Sequence, residues 1–254
     1  MYKLVVFDLD GTLANTLEDL ANATNYGLEK AGLKTYPVED YKQMVGSGIV
    51  NLVKRAMSPE TDEKIFDIVK GGFDYYYNAH SIDKTAPYEG TEKLLNDLEE
   101  KGIKTAVLSN KPDEFVAKIL AKIFPDHKFA FAWGKKPEFE IKPSPDALYA
   151  MLKELNIKKE ECIYVGDSNV DCYTAQNAGV KCCGVSWGFR GRKELEEAGA
   201  DVVIDNADEF LEKFSLWKWI IRKSWIGLLP IIKVRVKCLP CFYILVVHLA
   251  VVIV

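Results

Sequence analysis

From Pro87 onward the sequence alternates between short apolar runs and segments with helical periodicity, and this alternation is the feature that most constrains the fold. Apolar runs of strand length, separated by amphipathic segments, are typical of βα units in a parallel sheet. An earlier apolar run, Val5-Val6-Phe7, adds one strand near the N-terminus. Further strands are predicted at 103–108, 129–133, 162–165, 182–185 and 202–204, and helices at 91–101, 112–124, 144–155 and 168–178. The chain is therefore predicted to be an α/β protein with a Rossmann-like, doubly wound parallel sheet.

Residues 13–84 lack this alternation. Their apolar residues recur at steps of three or four, which predicts mostly helical structure with no strand. We therefore predict an α/β core made of residues 1–14 and 85–215, interrupted after its first strand by a small helical cap of residues 15–84. Such an insert would lie over the carboxyl-terminal edge of the sheet.

The tail, residues 216–254, differs in composition from the rest of the chain. It contains six basic residues and no acidic one, so the formal charge of −4 divides into +6 for the tail and −10 for residues 1–215. Residues 238–254 are almost wholly apolar, but as a helix they would span about 25 Å against a hydrocarbon core of about 30 Å. The tail is interpreted as an extension without function, ahead of an extra packed element and of a membrane anchor.

Charge and cysteine content indicate the partners and the compartment. A body with a charge of −10 is a poor binder of nucleic acid, because non-specific affinity comes from Lys and Arg that neutralise phosphates. No nucleic-acid partner is expected. The six cysteines form no disulfide framework and the N-terminus has no signal-peptide pattern, which predicts a reducing, cytoplasmic setting. Cys238 and Cys241 have the spacing of half a zinc site, but no second pair completes it.

Two carboxylates, Asp8 and Asp10, stand where the first predicted strand ends. Ligands bind at the carboxyl ends of strands in parallel α/β sheets, so the pair is a candidate site for phosphoryl transfer. Asp8, nearest the strand, is the candidate nucleophile, because a carboxylate can attack phosphorus. Asp10 is the candidate acid–base group that protonates the leaving oxygen. The alternative is a solvated Asp-Leu-Asp-Gly turn.

Three further segments carry polar side chains at strand ends or before a helix. Ser109 follows an apolar strand, where a hydroxyl and backbone N–H groups can hold phosphate oxygens. Lys142 precedes a helix and can neutralise both the nucleophile and the phosphoryl group. Asp167 and Asp171 follow the strand at 162–165 and suit Mg²⁺, which prefers carboxylate oxygens. Each segment alone fits a turn or a helix cap, but four of them in this order favour a catalytic site.

These four segments resemble the four motifs of the haloacid dehalogenase superfamily, and the resemblance covers roughly residues 1–214. It implies that Asp8 is the nucleophile and Asp10 the acid–base group, and that Ser109 and Lys142 contact the phosphoryl group. Expulsion of a halide needs neither a proton donor nor Mg²⁺, so the second aspartate favours phosphate chemistry.

The same resemblance implies Mg²⁺ as the cofactor. Asp167 would bind the ion together with Asp8 and the carbonyl of Asp10, while Asp171 would orient the metal's ligand shell or Lys142. The predicted metal-binding residues are Asp8, Asp10, Asp167 and Asp171.

Two other segments, 45–56 and 187–190, are similar to those of phosphoglycolate phosphatases. A cap that recognises a carboxylated phosphate ester needs a cation or N–H donors that face the core. The cationic candidates are Lys42, Lys54, Arg55 and Arg190. The predicted substrate-binding residues are Thr12, Gly46, Ser47, Gly48, Ser109, Asn110 and Arg190.

The sequence thus predicts a Mg²⁺-dependent phosphatase of small phosphorylated metabolites, with 2-phosphoglycolate as the favoured substrate and an aspartyl-phosphate intermediate. A phosphomutase, a pyrophosphate phosphatase or a nucleotide phosphatase of the same superfamily is the alternative, because all share the four motifs. In a more remote alternative the acidic pair is not catalytic, and the protein is tethered to a membrane or a partner through residues 238–254. The sequence does not predict the oligomeric state.

Overall fold

Eight strands are present in the computed structural model, which describes residues 2–60 and 62–214. They are β1 (Leu4–Phe7), β2 (Ala14–Asn15), β3 (Ala86–Pro87), β4 (Lys104–Pro112), β5 (Phe131–Lys135), β6 (Cys162–Gly166), β7 (Lys181–Val185) and β8 (Val202–Ile204). Six of them form one parallel sheet in the order β5-β4-β1-β6-β7-β8. The predicted parallel α/β fold is therefore confirmed.

The N-terminal strand β1 lies in the middle of this sheet. Leu4 is opposite Lys104 of β4 on one side and Cys162 of β6 on the other. The side chains of β1 are at most 1% exposed, which explains why this strand is apolar on both faces. The strand order changes direction at β1, and in such sheets a crevice opens at this point beyond the carboxyl ends of the strands.

Helices flank the sheet and connect its strands. They are α4 (Thr91–Glu100), α5 (Asp113–Ile123), α6 (Asp146–Glu154), α7 (Asn169–Ala178), α8 (Gly191–Glu197) and α9 (Glu209–Phe214). Leu148 and Met151 of α6 pack with Cys172 of α7 against Leu4 and Tyr164 of the sheet. Burial of these apolar faces is the main force that holds the helices on the sheet.

The segment between β2 and β3 is helical, as predicted. Its helices are α1 (Leu17–Lys30), α2 (Ile49–Ala56) and α3 (Glu63–His80), with a 3₁₀ turn at Val38–Gln43. Helices α1 and α3 meet in direct backbone contact, because a Cβ at Gly27 would lie 2.2 Å from the carbonyl oxygen of Val69. Only glycine permits so close an approach at this crossing.

The prediction that residues 13–84 contain no strand is wrong at one place. Ala14 and Asn15 form β2, which pairs antiparallel with Ala86 and Pro87 of β3. Two-residue strands are too short to show an alternating pattern, so only the spatial meeting of two distant segments defines them. The ribbon lies where the chain enters and leaves the helical segment.

One strand in the sheet is longer than predicted. Strand β4 does not end at Leu108 but continues through Pro112, with an irregularity in its pairing to β5 between these two residues. The polar residues Ser109, Asn110 and Lys111 therefore belong to the strand.

Several predictions fall on the tail, which lies outside the described residues. They are its three interpretations, the membrane contact through 238–254 and the pair Cys238 and Cys241. In residues 2–60 and 62–214, no helix has both the length and the apolar character needed to cross a bilayer.

Candidate active site

The predicted site residues lie at the carboxyl-terminal edge of the sheet. Asp8 follows β1 directly, Ser109 and Asn110 lie in the last part of β4, and Asp167 follows β6. Because β1 pairs with both β4 and β6, parallel pairing brings these strand ends together. Lys142 reaches the same place from the segment before α6.

Three buried carboxylates form the centre of the site. Asp8, Asp167 and Asp171 each offer an oxygen that lies within 4.8 Å of the others. Burial raises the pKa of Asp8 from 3.8 to about 7, since desolvation and the carboxylates of Asp171 and Asp10 outweigh the charge of Lys142. Burial also raises the pKa of Asp167, and the nearby Asp171 and Asp8 add to this effect. Such a group favours a bound cation.

Asp167 is held by close backbone contacts. Its Oδ2 accepts a hydrogen bond of 2.7 Å from the Phe189 N–H, and its Oδ1 lies 3.5 Å from the Thr12 hydroxyl. A Cβ at Gly188 would lie 2.3 Å from the Asp167 Cβ, and one at Gly11, where φ is +87°, would lie 2.3 Å from Oδ2. Glycine at both positions lets the backbone approach the carboxylate.

Lys142 lies between two of the carboxylates. Its Nζ is 2.9 Å from Asp8 Oδ1 and 2.8 Å from Asp171 Oδ1. Burial alone would lower the pKa of Lys142, but Asp171 and Asp8 together raise it well above its ordinary value, so the ammonium is retained. Asp171 Oδ2 accepts hydrogen bonds from the N–H and hydroxyl of Ser168. Both oxygens of Asp171 are thus engaged, and the geometry favours its role in orienting Lys142.

Asn110 links Lys142 to the helical segment. Its Oδ1 accepts a hydrogen bond of 2.8 Å from the Lys142 N–H, and its Nδ2 donates to the carbonyls of Lys142 and Gly46 at 3.1 and 3.2 Å. These contacts position two segments around the site. The side chain of Ser109 is 96% buried nearby, in the wall of the pocket.

Asp10 does not join the acidic group. Its Oδ1 accepts hydrogen bonds from the Thr16 hydroxyl at 2.6 Å and from Lys111 Nζ at 2.9 Å, and Lys111 is buried. The ammonium of Lys111 also lies 5.1 Å from the centre of the Tyr77 ring. Sequence reasoning missed Lys111 as a site residue, although it follows Ser109 and Asn110 directly in the segment already singled out.

A pocket lies between these strand ends and the helical segment. Asp8, Asp10 and Ser109 line it on the side of the sheet. On the other side it is lined by Gly46 and Gly48, followed by Ile49 at the start of α2. Apolar side chains complete its wall: Leu20, Val45 and Leu52.

Some predicted substrate-binding side chains are engaged elsewhere. The Ser47 hydroxyl accepts a hydrogen bond from Arg55 Nη2 at 3.0 Å. The Arg190 guanidinium donates to Gln43 Oε1 and to the Val45 carbonyl. The Thr12 hydroxyl contacts Asp167, as described above. The direction of a long side chain depends on acceptors that are distant in sequence, so the sequence alone did not reveal these contacts.

The acidic group meets the requirements of a metal site. Asp8 Oδ1 is buried, and Lys142 Nζ lies 2.9 Å from it. The three buried carboxylates share the single ammonium of Lys142, and buried charge that is not fully compensated is costly. Asp167 and Asp171 add only oxygen donors, the type that hard divalent cations prefer. The group could therefore hold a metal ion.

Comparison with known proteins places the chain in a family. The model of the haloacid dehalogenase-like hydrolases matches residues 5–185. A phosphoglycolate phosphatase from Pseudomonas fluorescens strain Pf-5 is 33% identical over 210 residues, which cover 80% of this chain and 76% of the relative. The family model spans the strands as far as β7 and the helical segment between β2 and β3.

Solved structures agree with this placement. The crystal structure of a predicted phosphoglycolate phosphatase from Haemophilus somnus has a TM-score of 0.78 and 29% identity, covering 84% of this chain and 97% of that one. A CbbY variant from Rhodobacter sphaeroides, in complex with xylulose-(1,5)bisphosphate, has a TM-score of 0.63 and 25% identity, covering 82% and 96%. The chain belongs to the haloacid dehalogenase-like hydrolase family, and it is an enzyme of the phosphoric monoester hydrolase class.

Proposed function

We propose that this enzyme is a Mg²⁺-dependent phosphatase of small phosphorylated metabolites, with 2-phosphoglycolate as its favoured substrate. The observation that carries the proposal is the buried Asp8, which lies 2.9 Å from Lys142 Nζ and within the acidic group with Asp167. The proposed nucleophile and the proposed metal ligands thus lie beside a cation at the edge of the sheet. The names of the relatives support the choice of substrate.

In the proposed reaction an Asp8 oxygen attacks the phosphorus, and the bond between phosphorus and the ester oxygen breaks. Asp10 donates a proton to the leaving oxygen, which departs as an alcohol. Asp10 then accepts a proton from a water molecule that attacks the aspartyl-phosphate, and phosphate leaves while the Asp8 carboxylate is regenerated. Thr16 and Lys111 hold Asp10 at the pocket wall, within reach of both steps.

Positive charge must offset the repulsion between Asp8 and an anionic substrate. The ammonium of Lys142 supplies part of it, and the Ser109 hydroxyl can donate to a phosphate oxygen. Mg²⁺, when bound by Asp8, Asp167 and the carbonyl of Asp10, would neutralise the phosphoryl oxygens. Asp171 keeps Lys142 oriented.

The distal end of the substrate would face the Gly46–Gly48 turn. Among the described residues, no protein acceptor contacts the backbone N–H groups of Gly46, Ser47 and Gly48. Such donors suit a carboxylate. The apolar side chains of Leu20 and Leu52 line the same pocket.

We also propose that the enzyme works in the cytoplasm. The four described cysteines, all buried, are free thiols, as expected in a reducing compartment: Cys162, Cys172, Cys182 and Cys183.

A substrate panel tests the proposed function. Phosphate release is measured with 2-phosphoglycolate, sugar phosphates, nucleotides and pyrophosphate, with Mg²⁺ or with EDTA. We expect fastest release from 2-phosphoglycolate, loss of release in EDTA, and a decrease of more than about 1000-fold in Asp8→Asn. The control Asp67→Asn, an exposed aspartate on α3, should retain the native rate.

Other outcomes of this panel would change the assignment. A preference for pyrophosphate or nucleotides would replace the substrate but keep the mechanism. Transfer of phosphate from a sugar bisphosphate without net release would identify a phosphomutase. Release that persists in Asp8→Asn would exclude the aspartyl-phosphate.

A further inference from the structure

The loop of residues 43–48 runs from the last residue of the 3₁₀ turn to α2. The N–H groups of Met44 and Val45 donate to the Tyr41 carbonyl, whereas side chains bind most of the loop's own carbonyl groups. The carbonyl oxygens of residues 44–47 each accept a hydrogen bond from a different side chain. In the order of the carbonyls, the donors are Arg55, Arg190, Asn110 and Asn51, at 2.7, 2.8, 3.2 and 2.8 Å. The loop contains Gly46 and Gly48, both with positive φ, so its conformation depends on these external donors.

Two of the four donors come from outside the helical segment. Arg55 and Asn51 belong to α2 and move with the loop. Asn110 belongs to β4, and Arg190 directly precedes α8. Only these two therefore tie the loop carbonyls to the α/β part of the protein. Because the loop lines one side of the pocket, their contacts determine how closely it approaches Asp8.

Arg190 is well placed to hold the loop. Its side chain is only 12% exposed, and besides the Val45 carbonyl it donates to Gln43 Oε1. Its Nε lies 3.9 Å from Glu194 Oε1, and this carboxylate oxygen accepts a hydrogen bond of 3.2 Å from the Asn169 N–H. Arg190 is thus anchored to the start of α7 on one side and to the loop on the other.

The neighbouring residue makes the same connection. The Phe189 N–H donates to Asp167 Oδ2 at 2.7 Å, while its side chain packs into the hydrophobic cluster of the helical segment with Leu52 and Phe73. The residues 188–190 therefore contact an acidic residue of the site and both the loop and the core of the helical segment.

We infer that Arg190 is a positioning residue, which holds the 43–48 loop against the pocket through Val45 and Gln43 and does not itself bind the substrate. This inference rests on the proposed function for its kinetic consequences. Both terminal nitrogens of the Arg190 guanidinium already donate to the loop, one to Gln43 Oε1 and one to the Val45 carbonyl. Removal of the side chain would leave the Val45 carbonyl without this donor. Of the two side chains that tie the loop carbonyls to the α/β part, Asn110 alone would then remain.

If Arg190 binds the substrate, its removal should affect different substrates than if it positions the loop. An arginine that binds the substrate carboxylate would matter for 2-phosphoglycolate and not for a phosphate ester without a carboxylate, such as p-nitrophenyl phosphate. An arginine that positions the loop would affect both substrates, because the loop encloses the pocket whichever ester is bound. The ratio of the two kcat/KM values therefore separates the roles.

The first experiment measures the loop directly, by hydrogen exchange of its backbone amides in the full-length, substrate-free enzyme. The variants are Arg190→Ala, Arg190→Lys and Gln43→Ala. The matched control is Arg192→Ala, because Arg192 is an arginine of α8 that pairs with Glu196 and Asp205, away from the loop. We expect exchange at residues 44–50 to accelerate about 10-fold or more in Arg190→Ala, less in Arg190→Lys and Gln43→Ala, and not in Arg192→Ala.

The second experiment measures kcat and KM for both esters. We expect kcat/KM of Arg190→Ala to fall by about 10- to 100-fold, by a similar factor for 2-phosphoglycolate and p-nitrophenyl phosphate, with partial recovery in Arg190→Lys. Gln43→Ala, which retains Arg190 and its bond to Val45, should show a smaller loss in the same direction.

Two results would overturn the inference. One is unchanged amide exchange at 44–50 in both Arg190→Ala and Gln43→Ala. The other is a loss confined to the carboxylated substrate, which would make Arg190 a substrate ligand. The exchange result needs no catalysis, so it stands even if the enzyme hydrolyses neither ester and the proposed function fails.

Discussion

At the scale of single residues, the site concentrates acidic groups where water is excluded. The negative charge of the buried Asp8 carboxylate must be offset by a proton, by Lys142 or by a bound cation. Burial raises the pKa of Asp8 from 3.8 to about 7, so the folded state binds this proton more tightly than the unfolded chain does. The stabilisation from the proton is complete below about pH 4, and it is lost as the pH rises through 7.

We therefore predict that Asp8→Asn stabilises the metal-free protein at high pH. Asparagine resembles the neutral acid, so Tm of the variant in EDTA should exceed native Tm by about 3 °C or more at pH 8, and the difference should shrink toward pH 5. Scanning calorimetry at both pH values checks this, with Asp67→Asn as an exposed control. A difference that does not change between pH 5 and pH 8 would contradict the assigned shift.

Some residues of the site could be predicted from the sequence, and others could not. Asp8, Asp167 and Lys142 were predicted because they follow strands or precede a helix, and parallel pairing brings such positions together. Lys111 was not predicted as a site residue, and Arg190 was predicted to bind the substrate. The sequence does not show which acceptor a long side chain reaches. The hydrogen bonds that Asp10 accepts from Thr16 and from Lys111 likewise depend on the tertiary structure.

At the scale of elements, the sequence predicted most of the fold. The strands at 162–165 and 202–204 match β6 and β8 to within one residue, because apolar runs bounded by helices have clear periodicity. The ribbon of β2 and β3 was not predicted, since four residues carry no period. The extension of β4 to Pro112 was missed because polar residues at a strand end resemble a loop.

The joint between the helical segment and the sheet depends on one buried carboxylate of α1. Asp19 is 2% exposed and accepts hydrogen bonds from the N–H groups of Lys84 and Thr85 and from the Thr85 hydroxyl, at 2.8 to 3.1 Å. It thus ties the start of α1 to the segment that leads into β3. Without it, the N–H and hydroxyl groups of the buried Thr85 and the N–H of Lys84 would lose this acceptor.

We predict that Asp19→Ala lowers the free energy of unfolding by about 2–3 kcal/mol and Tm by about 5–10 °C. The control is Glu18→Ala, because Glu18 precedes Asp19 on α1 but has an exposed side chain. Its contact with Lys84 Nζ is a long one, at 3.9 Å. That variant should change stability by less than about 0.5 kcal/mol. Equal unfolding midpoints in urea for the two variants would show that the joint does not depend on Asp19.

At the scale of the whole molecule, the pocket lies where the chain passes between the sheet and the helical segment. The chain makes this passage twice, at β2 and at β3, and the two strands pair with each other. We propose that residues 15–84 act as a cap over the α/β core, because the 43–48 loop forms one wall of the pocket and strand ends of the sheet form the other. The site is then complete only when both parts are present.

All the residues described for this site precede the tail. The match to the Haemophilus somnus structure covers 97% of that chain but only 84% of this one, so that chain has a similar fold without a counterpart to the rest of this sequence. A chain that ends at residue 214 would keep α9 and its buried Phe210.

We therefore predict that a chain ending at residue 214 retains kcat/KM for the favoured ester within about 3-fold of the full chain. Phosphate release from both chains, compared at equal folded concentration with Asp8→Asn of the short chain as the blank, is the measurement. Loss of turnover in a short chain that keeps its circular dichroism would instead assign the tail a part in function, as the tethering alternative requires.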